Sequence, residues 1–285
     1  SSSSAASDVY KRQGMEVWAA IRDFDGGIGS NDESLQLLSY SSRRENLINQ
    51  LIGAVMQVGI DGINVDFEKI SKDCGVHYIQ FIRELSVKCR QNGIVLSVDN
   101  YVPKGYNQQY NRKEQGVMAD YVIIMGYDEH NGSSLEAGSV SSYEFVKEGI
   151  EETIKEVPAE KVISGIPFFT RLWSETPKTQ EELNQEAGTE AADYPMKVTS
   201  EALGMSTARD KISQAGAETT LDETTGNNYA TWEADGGTYE IWLEDATSIE
   251  PKLQLMKENK LAGTAAWALG QESSDIWNLI LKYVN

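Results

Sequence analysis

Two carboxylates and an amide stand at alternate positions within residues 61–68, Asp-Gly-Ile-Asn-Val-Asp-Phe-Glu. Successive side chains on a β-strand point to opposite faces, so Asn64, Asp66 and Glu68 share one face and the apolar residues between them share the other. The Cβ atoms of Asp66 and Glu68 then lie roughly 6–7 Å apart, close enough for one charge to raise the pKa of the other carboxyl group. The pattern predicts a pair for acid–base chemistry; the alternative is a strand that ends in acidic residues at a solvated tip.

This segment resembles the signature of glycoside hydrolase family 18, the chitinases and their relatives. The family pattern is Asp-Gly-x-x-x-Asp-x-Glu, usually with a third Asp two residues before the second. Asp61, Gly62, Asp66 and Glu68 match it, and Asn64 occupies the position of the third Asp. A charged Asp there would help to raise the pKa of Asp66, and a neutral amide does so less. Because Asn64 can still hydrogen-bond Asp66, we interpret the change as tuning rather than as inactivation.

Three further segments resemble the family in the expected order. Residues 125–128, Met-Gly-Tyr-Asp, are similar to its Met-x-Tyr-Asp segment, and residues 165–171 to its Gly-x-Pro-aromatic segment. Trp267 matches the tryptophan beneath the cleaved sugar. Together these segments are most similar to the bacterial spore-cortex and cell-wall branch, which includes the SleL-like N-acetylglucosaminidases.

The resemblance implies an α/β fold, the (β/α)8 TIM barrel, with the site at the C-terminal ends of the strands. Alternating strands and helices along the chain also predict a parallel sheet covered by helices. Counted by motif, the predicted strand 15–21 corresponds to the third barrel strand, so we expect the first two strands to be lacking. We expect the barrel at 15–173 and 246–285, an α+β insertion between its seventh and eighth strands at 174–245, and a truncated or artificial leader at 1–14.

The family mechanism implied by the resemblance is substrate-assisted hydrolysis, in which the acetamido oxygen of the sugar attacks the anomeric carbon. Glu68 would protonate the leaving oxygen and then activate water, Asp66 would orient the acetamido N–H, and Tyr127 would hydrogen-bond its oxygen. The alternatives are a solvated Glu68, a buried and paired Asp66, and a core Tyr127. The other residues expected to contact substrate are Asn64, Asp99, Met125, Asp128, Phe168, Arg171 and Trp267.

Composition limits the other classes of function. The chain has 285 residues and a formal charge of −19, which argues against nucleic acid and anionic membranes as partners. No apolar run approaches the roughly 20 residues of a membrane span. The chain has only two histidines, His77 and His130, too few for a metal site built from several histidine ligands. We expect neither a metal nor a cofactor. Cys74 and Cys89 lie roughly 22 Å apart on one predicted helix, too far for a disulfide.

The implied partner is therefore a polysaccharide or oligosaccharide that contains N-acetylglucosamine. An extracellular, cell-wall or spore location follows from that substrate class alone. Two alternatives stay open: a carbohydrate-binding protein without catalysis, and an inactive fragment. The presence of Glu68 favours an enzyme, because the non-catalytic relatives have lost this residue.

Overall fold

The computed structural model describes Tyr10, residues 13–23 and residues 31–284. The predicted leader, residues 1–14, lies almost wholly outside the described residues. The chain divides into two compact units, one formed by Ser1–Ile124 with Glu151–Ile163 and the other by Met125–Ile150 with Ser164–Asn285.

Strands and helices alternate in the first unit. Its strands are β1 (Trp18–Arg22), β2 (Gly62–Asp66), β3 (Val95–Tyr101) and β4 (Tyr121–Met125), the last of which ends at the boundary. Its helices are α1 (Asn31–Leu38), α2 (Ser41–Val58), α3 (Gly75–Asn92) and α4 (Arg112–Met118). The strands are hydrogen-bonded neighbours in chain order, and β2 pairs in parallel with both β1 and β3.

Helices α2 and α3 end in the same way, which places β2 and β3 side by side. Gly59 and Gly93 follow the two helices with φ of 75° and 66°, a left-handed conformation that glycine adopts without steric cost. Each strand starts within three residues of its glycine. The outward residues of β2, Ile63 and Val65, are buried in one core with Phe81 of α3. The other face of β2 is thereby left with its polar residues.

Gly62 has a specific steric role on that inner face. The side chain of Trp18 lies against it, so a Cβ atom on Gly62 would come within 2.5 Å of Trp18 Cδ1. The Trp18 ring also stacks on Tyr121 of β4, with centroids 5.7 Å apart. Any larger residue at position 62 would displace this aromatic pair, which fills the space beside the start of β2.

Two elements, α5 (Tyr143–Ile154) and β5 (Val162–Pro167), have residues in both units. The other strands of the second unit are β6 (Phe169–Pro177), β7 (Met196–Gly204), β8 (Thr220–Asp222), β9 (Asn227–Ala234), β10 (Gly237–Leu243) and β11 (Gly263–Trp267). Its other helices are α6 (Gln180–Gln185), α7 (Met205–Ala215), α8 (Ala246–Glu258) and α9 (Ile276–Val284). Strand β11 is the neighbour of β5.

An antiparallel sheet forms much of the second unit, in the order β7-β6-β10-β9-β8. The sequence indicates three of these strands, near residues 218–244, but gives no sign of β6 or β7. In β7 half-buried and exposed residues mostly alternate, and the strand is rich in polar side chains that resemble a loop. The sheet starts at Phe169, before the predicted insertion at 174–245, whose boundaries stay a prediction.

Both cysteines are free thiols buried in the first unit. Burial raises the pKa of Cys74 to about 11 and that of Cys89 to about 12, so both thiols stay protonated at neutral pH. Among the helices of the described ranges, none combines the length and the apolar character that crossing a membrane requires.

Candidate functional site

The candidate acid, Glu68, lies two residues beyond the end of β2 and is held through its backbone. Its N–H donates to Asp23 Oδ1 at 2.8 Å, and the N–H of Lys69 donates to Asp23 Oδ2 at 2.8 Å. Ser34 Oγ donates to the same carboxylate at 3.1 Å. Asp23 directly follows β1, so one carboxylate ties together the chain segments that leave two neighbouring strands.

The side chain of Glu68 accepts a hydrogen bond from a residue of the next strand. The hydroxyl of Tyr101, the last residue of β3, donates to Glu68 Oε2 at 2.6 Å. Burial, followed by the hydrogen bond to Glu68, raises the pKa of Tyr101 far above its usual value. Tyr101 therefore keeps its proton and acts as a donor throughout the physiological pH range.

The amide of Asn64 joins β2 to β3 instead of reaching Asp66. Its Nδ2 donates to Asp99 Oδ1 at 2.9 Å and to Ser97 Oγ at 3.0 Å, and Asn64 and Ser97 are direct partners in the sheet register. The sequence analysis left open a hydrogen bond from Asn64 to Asp66. A short amide reaches the adjacent strand more easily than a residue two positions along its own strand, and this decides its partner.

One oxygen of the Asp66 carboxyl group is buried. Its Oδ1 is inaccessible to solvent and accepts no hydrogen bond from any residue that the structure describes. The pKa of Asp66 is raised to about 6, chiefly by burial and then by the charge of Glu68; the charge of Arg22 lowers this pKa, and that of Asp23 raises it. A half-buried carboxyl group that protonates near neutral pH and presents an unused acceptor is suited to a ligand N–H.

Asp99 is the third carboxyl group of this cluster. Burial raises its pKa to about 7; the hydrogen bond from Asn64 lowers the pKa, and the charges of Asp66 and Glu68 raise it. The first unit thus brings together four residues proposed from the sequence, Asn64, Asp66, Glu68 and Asp99. Two of these carboxyl groups, Asp66 and Asp99, can hold and release protons near neutrality.

The residues proposed from the Met-x-Tyr-Asp segment lie in the second unit. Met125 is buried at the end of β4. The ring of Tyr127 is half-buried and contacts Phe169 edge-on, with centroids 6.0 Å apart. Asp128 is exposed and has a φ of 59°, in the left-handed region that few residues other than glycine adopt.

Phe168, Arg171 and Trp267 differ in how accessible they are to a ligand. Phe168 is fully buried, and its ring contacts that of Trp277 edge-on. Arg171 is half-buried, and its Nη1 donates to Ser200 Oγ at 3.0 Å. Trp267 is 53% exposed, its carbonyl oxygen accepts from the N–H of Phe168, and its peptide bond to Ala268 is cis.

Two residues of the cluster, Tyr101 and Asp23, escaped the sequence analysis. A signal for Tyr101 was present, because it stands two residues after Asp99 and so shares the inward face of the same strand. For Asp23 the sequence shows only an acidic residue after a predicted strand. Its partners are backbone N–H groups of residues 68 and 69, and no side-chain pattern reveals such a contact.

The chain is similar to known glycosyl hydrolases in sequence and in structure. A family model described as Glycosyl hydrolases family 18 matches residues 13–272. The glycosylase YvbX of Bacillus subtilis is 26% identical over 288 residues, which cover 95% of this chain and 76% of that protein. A cortical fragment-lytic enzyme of Bacillus subtilis is 25% identical over 286 residues, which cover 97% of this chain and 62% of that enzyme. The chain thus spans a little over three fifths of the length of the second relative.

Solved structures resemble the chain over nearly its whole length. The spore cortex-lytic enzyme SleL of Bacillus megaterium has a TM-score of 0.83 at 22% identity, covering 98% of this chain and 62% of that one. A chitinase of Chromobacterium violaceum has a TM-score of 0.85 at 22% identity, covering 99% of this chain and 84% of that one. These likenesses confirm the predicted α/β fold of the TIM-barrel type.

Proposed function

The chain belongs to family 18 of the glycosyl hydrolases, and from this premise we propose that it hydrolyses β-1,4 bonds next to N-acetylglucosamine in a glycan. The relatives named cortical fragment-lytic enzyme and SleL support a peptidoglycan or spore-cortex substrate, and the structural neighbour named chitinase supports a chitin-like one. We place the protein at the cell wall or the spore, because that is where the first group of substrates occurs.

One observation carries the proposal: the charge of Glu68 acts on a second carboxyl group, Asp66, which is half-buried and whose buried Oδ1 accepts no hydrogen bond from the described residues. In the proposed reaction the acetamido oxygen of the substrate bonds to the anomeric carbon while Glu68 protonates the departing glycosidic oxygen. Water then attacks the anomeric carbon of the oxazolinium intermediate, and Glu68 takes the proton of that water. The configuration of the sugar is retained, because the anomeric carbon is inverted twice.

Asp66 assists the acetamido group. Its unpaired Oδ1 would accept the acetamido N–H, and its ionised form would stabilise the positive charge that develops there. The phenol of Tyr127 would donate to the acetamido oxygen. Asp99, held by its hydrogen bond from Asn64, would interact electrostatically with the Asp66 carboxyl group. The residues that we propose to line the rest of the sugar site are Met125, Asp128, Phe168, Arg171 and Trp267.

The Glu68→Gln variant tests the acid. The substitution keeps the shape of the side chain but removes the transferable proton, so turnover of an aryl N-acetyl-β-glucosaminide should fall by about 100-fold or more. Glu258→Gln, on the exposed face of α8, is the matched control and should leave turnover unchanged. Binding of chito-oligosaccharides should persist in both variants, because the proton transfer that Glu68→Gln abolishes occurs only in the transition state.

The nature of the nucleophile is tested with a second substrate. An aryl β-glucoside lacks the acetamido group, so the wild-type protein should leave it nearly untouched. Comparable rates on both substrates would contradict substrate assistance. Binding of chito-oligosaccharides by the wild type without turnover of either substrate would instead identify a carbohydrate-binding protein.

A further inference from the structure

The hydroxyl of Tyr101 is the one described side-chain group for which a hydrogen bond to the Glu68 carboxylate is observed, at 2.6 Å from Oε2. The family resemblance assigned no role to this residue. It lies at the C-terminal end of β3, two positions after Asp99, and is half-buried. Because the contact is with the proposed acid itself, it bears directly on how that acid is presented to a substrate.

We propose that Tyr101 is a positioning residue for Glu68: by donating to Oε2 it orients the carboxyl group so that Oε1 carries the proton delivered to the leaving group. The proposal rests on the proposed function of the preceding section. An oxygen that accepts the phenol hydrogen bond cannot at the same time point its own proton along that line. The transferable proton therefore resides on the other oxygen.

The same hydrogen bond is stronger after proton transfer than before it. When Glu68 gives its proton to the glycosidic oxygen, it becomes a carboxylate, and a hydrogen bond to an ionised acceptor is roughly twice as strong as a neutral one. Tyr101 keeps its own proton, because burial and this hydrogen bond raise its pKa far above neutrality. The contact therefore stabilises charge that develops in the transition state, which is the kind of interaction that raises kcat.

The structure holds Tyr101 in place from behind. Nη2 of the buried Arg112 donates to the carbonyl oxygen of Tyr101 at 2.9 Å and to Asn107 Oδ1 at 3.0 Å. The ring of Tyr110 contacts that of Tyr101 edge-on, with centroids 6.1 Å apart and planes at 89°. Both the backbone and the ring of Tyr101 are thus fixed before any substrate arrives, as a preorganised acid requires.

The test is the Tyr101→Phe variant, assayed on two aryl N-acetyl-β-glucosaminides that differ only in leaving group. A phenol leaving group needs protonation, and a dinitrophenol group departs without it. The parameter kcat/KM reports the steps up to formation of the intermediate, so it isolates the acid role of Glu68 from its later role as a base. We expect kcat/KM to fall about 10- to 100-fold for the phenyl substrate, as for a displaced catalytic group, and to change little for the dinitrophenyl substrate.

Tyr78→Phe is the matched control. Tyr78 is fully buried in the same unit, its ring packs 6.0 Å from Phe67, and its hydroxyl has no hydrogen-bond partner among the described residues. The control removes a tyrosine hydroxyl from the same core without touching Glu68, so kcat/KM for both substrates should stay at the wild-type level. Urea unfolding of both variants verifies that each is folded.

The outcomes separate the inference from the proposed function. An equal loss of kcat/KM on both substrates, or no loss on either, overturns the role of Tyr101. Glu68→Gln is measured in parallel: if it abolishes turnover of the phenyl substrate while Tyr101→Phe does not, the inference alone fails. If Glu68→Gln retains wild-type turnover, the proposed function fails and the inference falls with it.

Discussion

A buried ion pair in the second unit makes the sharpest prediction about stability. Nζ of Lys252, on α8, lies 3.0 Å from Glu244 Oε2, and the two side chains are 1% and 0% exposed. Ser248 Oγ and Asn227 Nδ2 also donate to the carboxylate of Glu244, at 2.8 and 3.0 Å. Burial raises the pKa of Glu244, and the positive charge of Lys252 counteracts that rise.

The substitution Lys252→Met keeps the length of the side chain but leaves Glu244 buried without its counter-charge. Removing one partner of a buried pair destabilises by about 3–5 kcal/mol. At about 2–4 °C per kcal/mol for a protein of this size, the melting temperature should fall by roughly 6–20 °C. The double variant Glu244→Gln/Lys252→Met should recover most of this loss, because no uncompensated charge is then buried.

Urea unfolding at several pH values provides the measurement. Without Lys252, the pKa of Glu244 in the folded state lies further above its unfolded value of about 4.3. The deficit of the variant should therefore be small near pH 4, where Glu244 is protonated in both states, and grow as the pH rises through the folded pKa. A deficit under about 1 kcal/mol at pH 8, or a double variant no more stable than Lys252→Met, would refute the reasoning.

Two further predictions concern the carboxyl cluster of the first unit. Asn64→Asp adds a negative charge beside Asp66 and should raise the pKa of Asp66. The acidic limb of the pH profile of kcat/KM, which in the wild type should lie near the Asp66 pKa of about 6, should then move up by about one pH unit. A limb that stays in place would contradict this. The wild type should lose stability as the pH rises from about 4 to about 7, because the pKa of Asp99 is about 7 in the folded state and about 3.9 in the unfolded state. Asp99→Asn lacks this ionisation, so its stability relative to the wild type should increase over the same range. Parallel urea titrations at pH 4 and 8 measure the difference.

Much of the fold could be predicted from local pattern. Apolar periodicity predicts a helix that begins near residue 42 and ends at Gly59, and another at about 74–91 that ends at Gly93; a strand with β-branched residues follows each glycine. The structure has α2 at Ser41–Val58, α3 at Gly75–Asn92 and the strands β2 and β3 directly after them. Strands β6 and β7 were not predicted; the residues of β7 are mostly exposed or half-buried and resemble a loop, and β6 follows β5 after a single residue. Their pairing with each other, and of β6 with β10, is what makes them strands.

Of the candidate site, too, one part could be predicted from local pattern and another part depends on the tertiary structure. That Asn64 and Asp66 share a face of β2 was determined by the sequence alone, because the period of a strand is two whatever surrounds it. Only the tertiary structure decided that Asn64 binds Asp99 rather than Asp66, and that Tyr101 donates to Glu68. Each of these partners is more than 30 residues away along the chain, and which residue of a neighbouring strand stands opposite depends on the register. That register is set by the packing of the whole sheet against its helices, which no local pattern records.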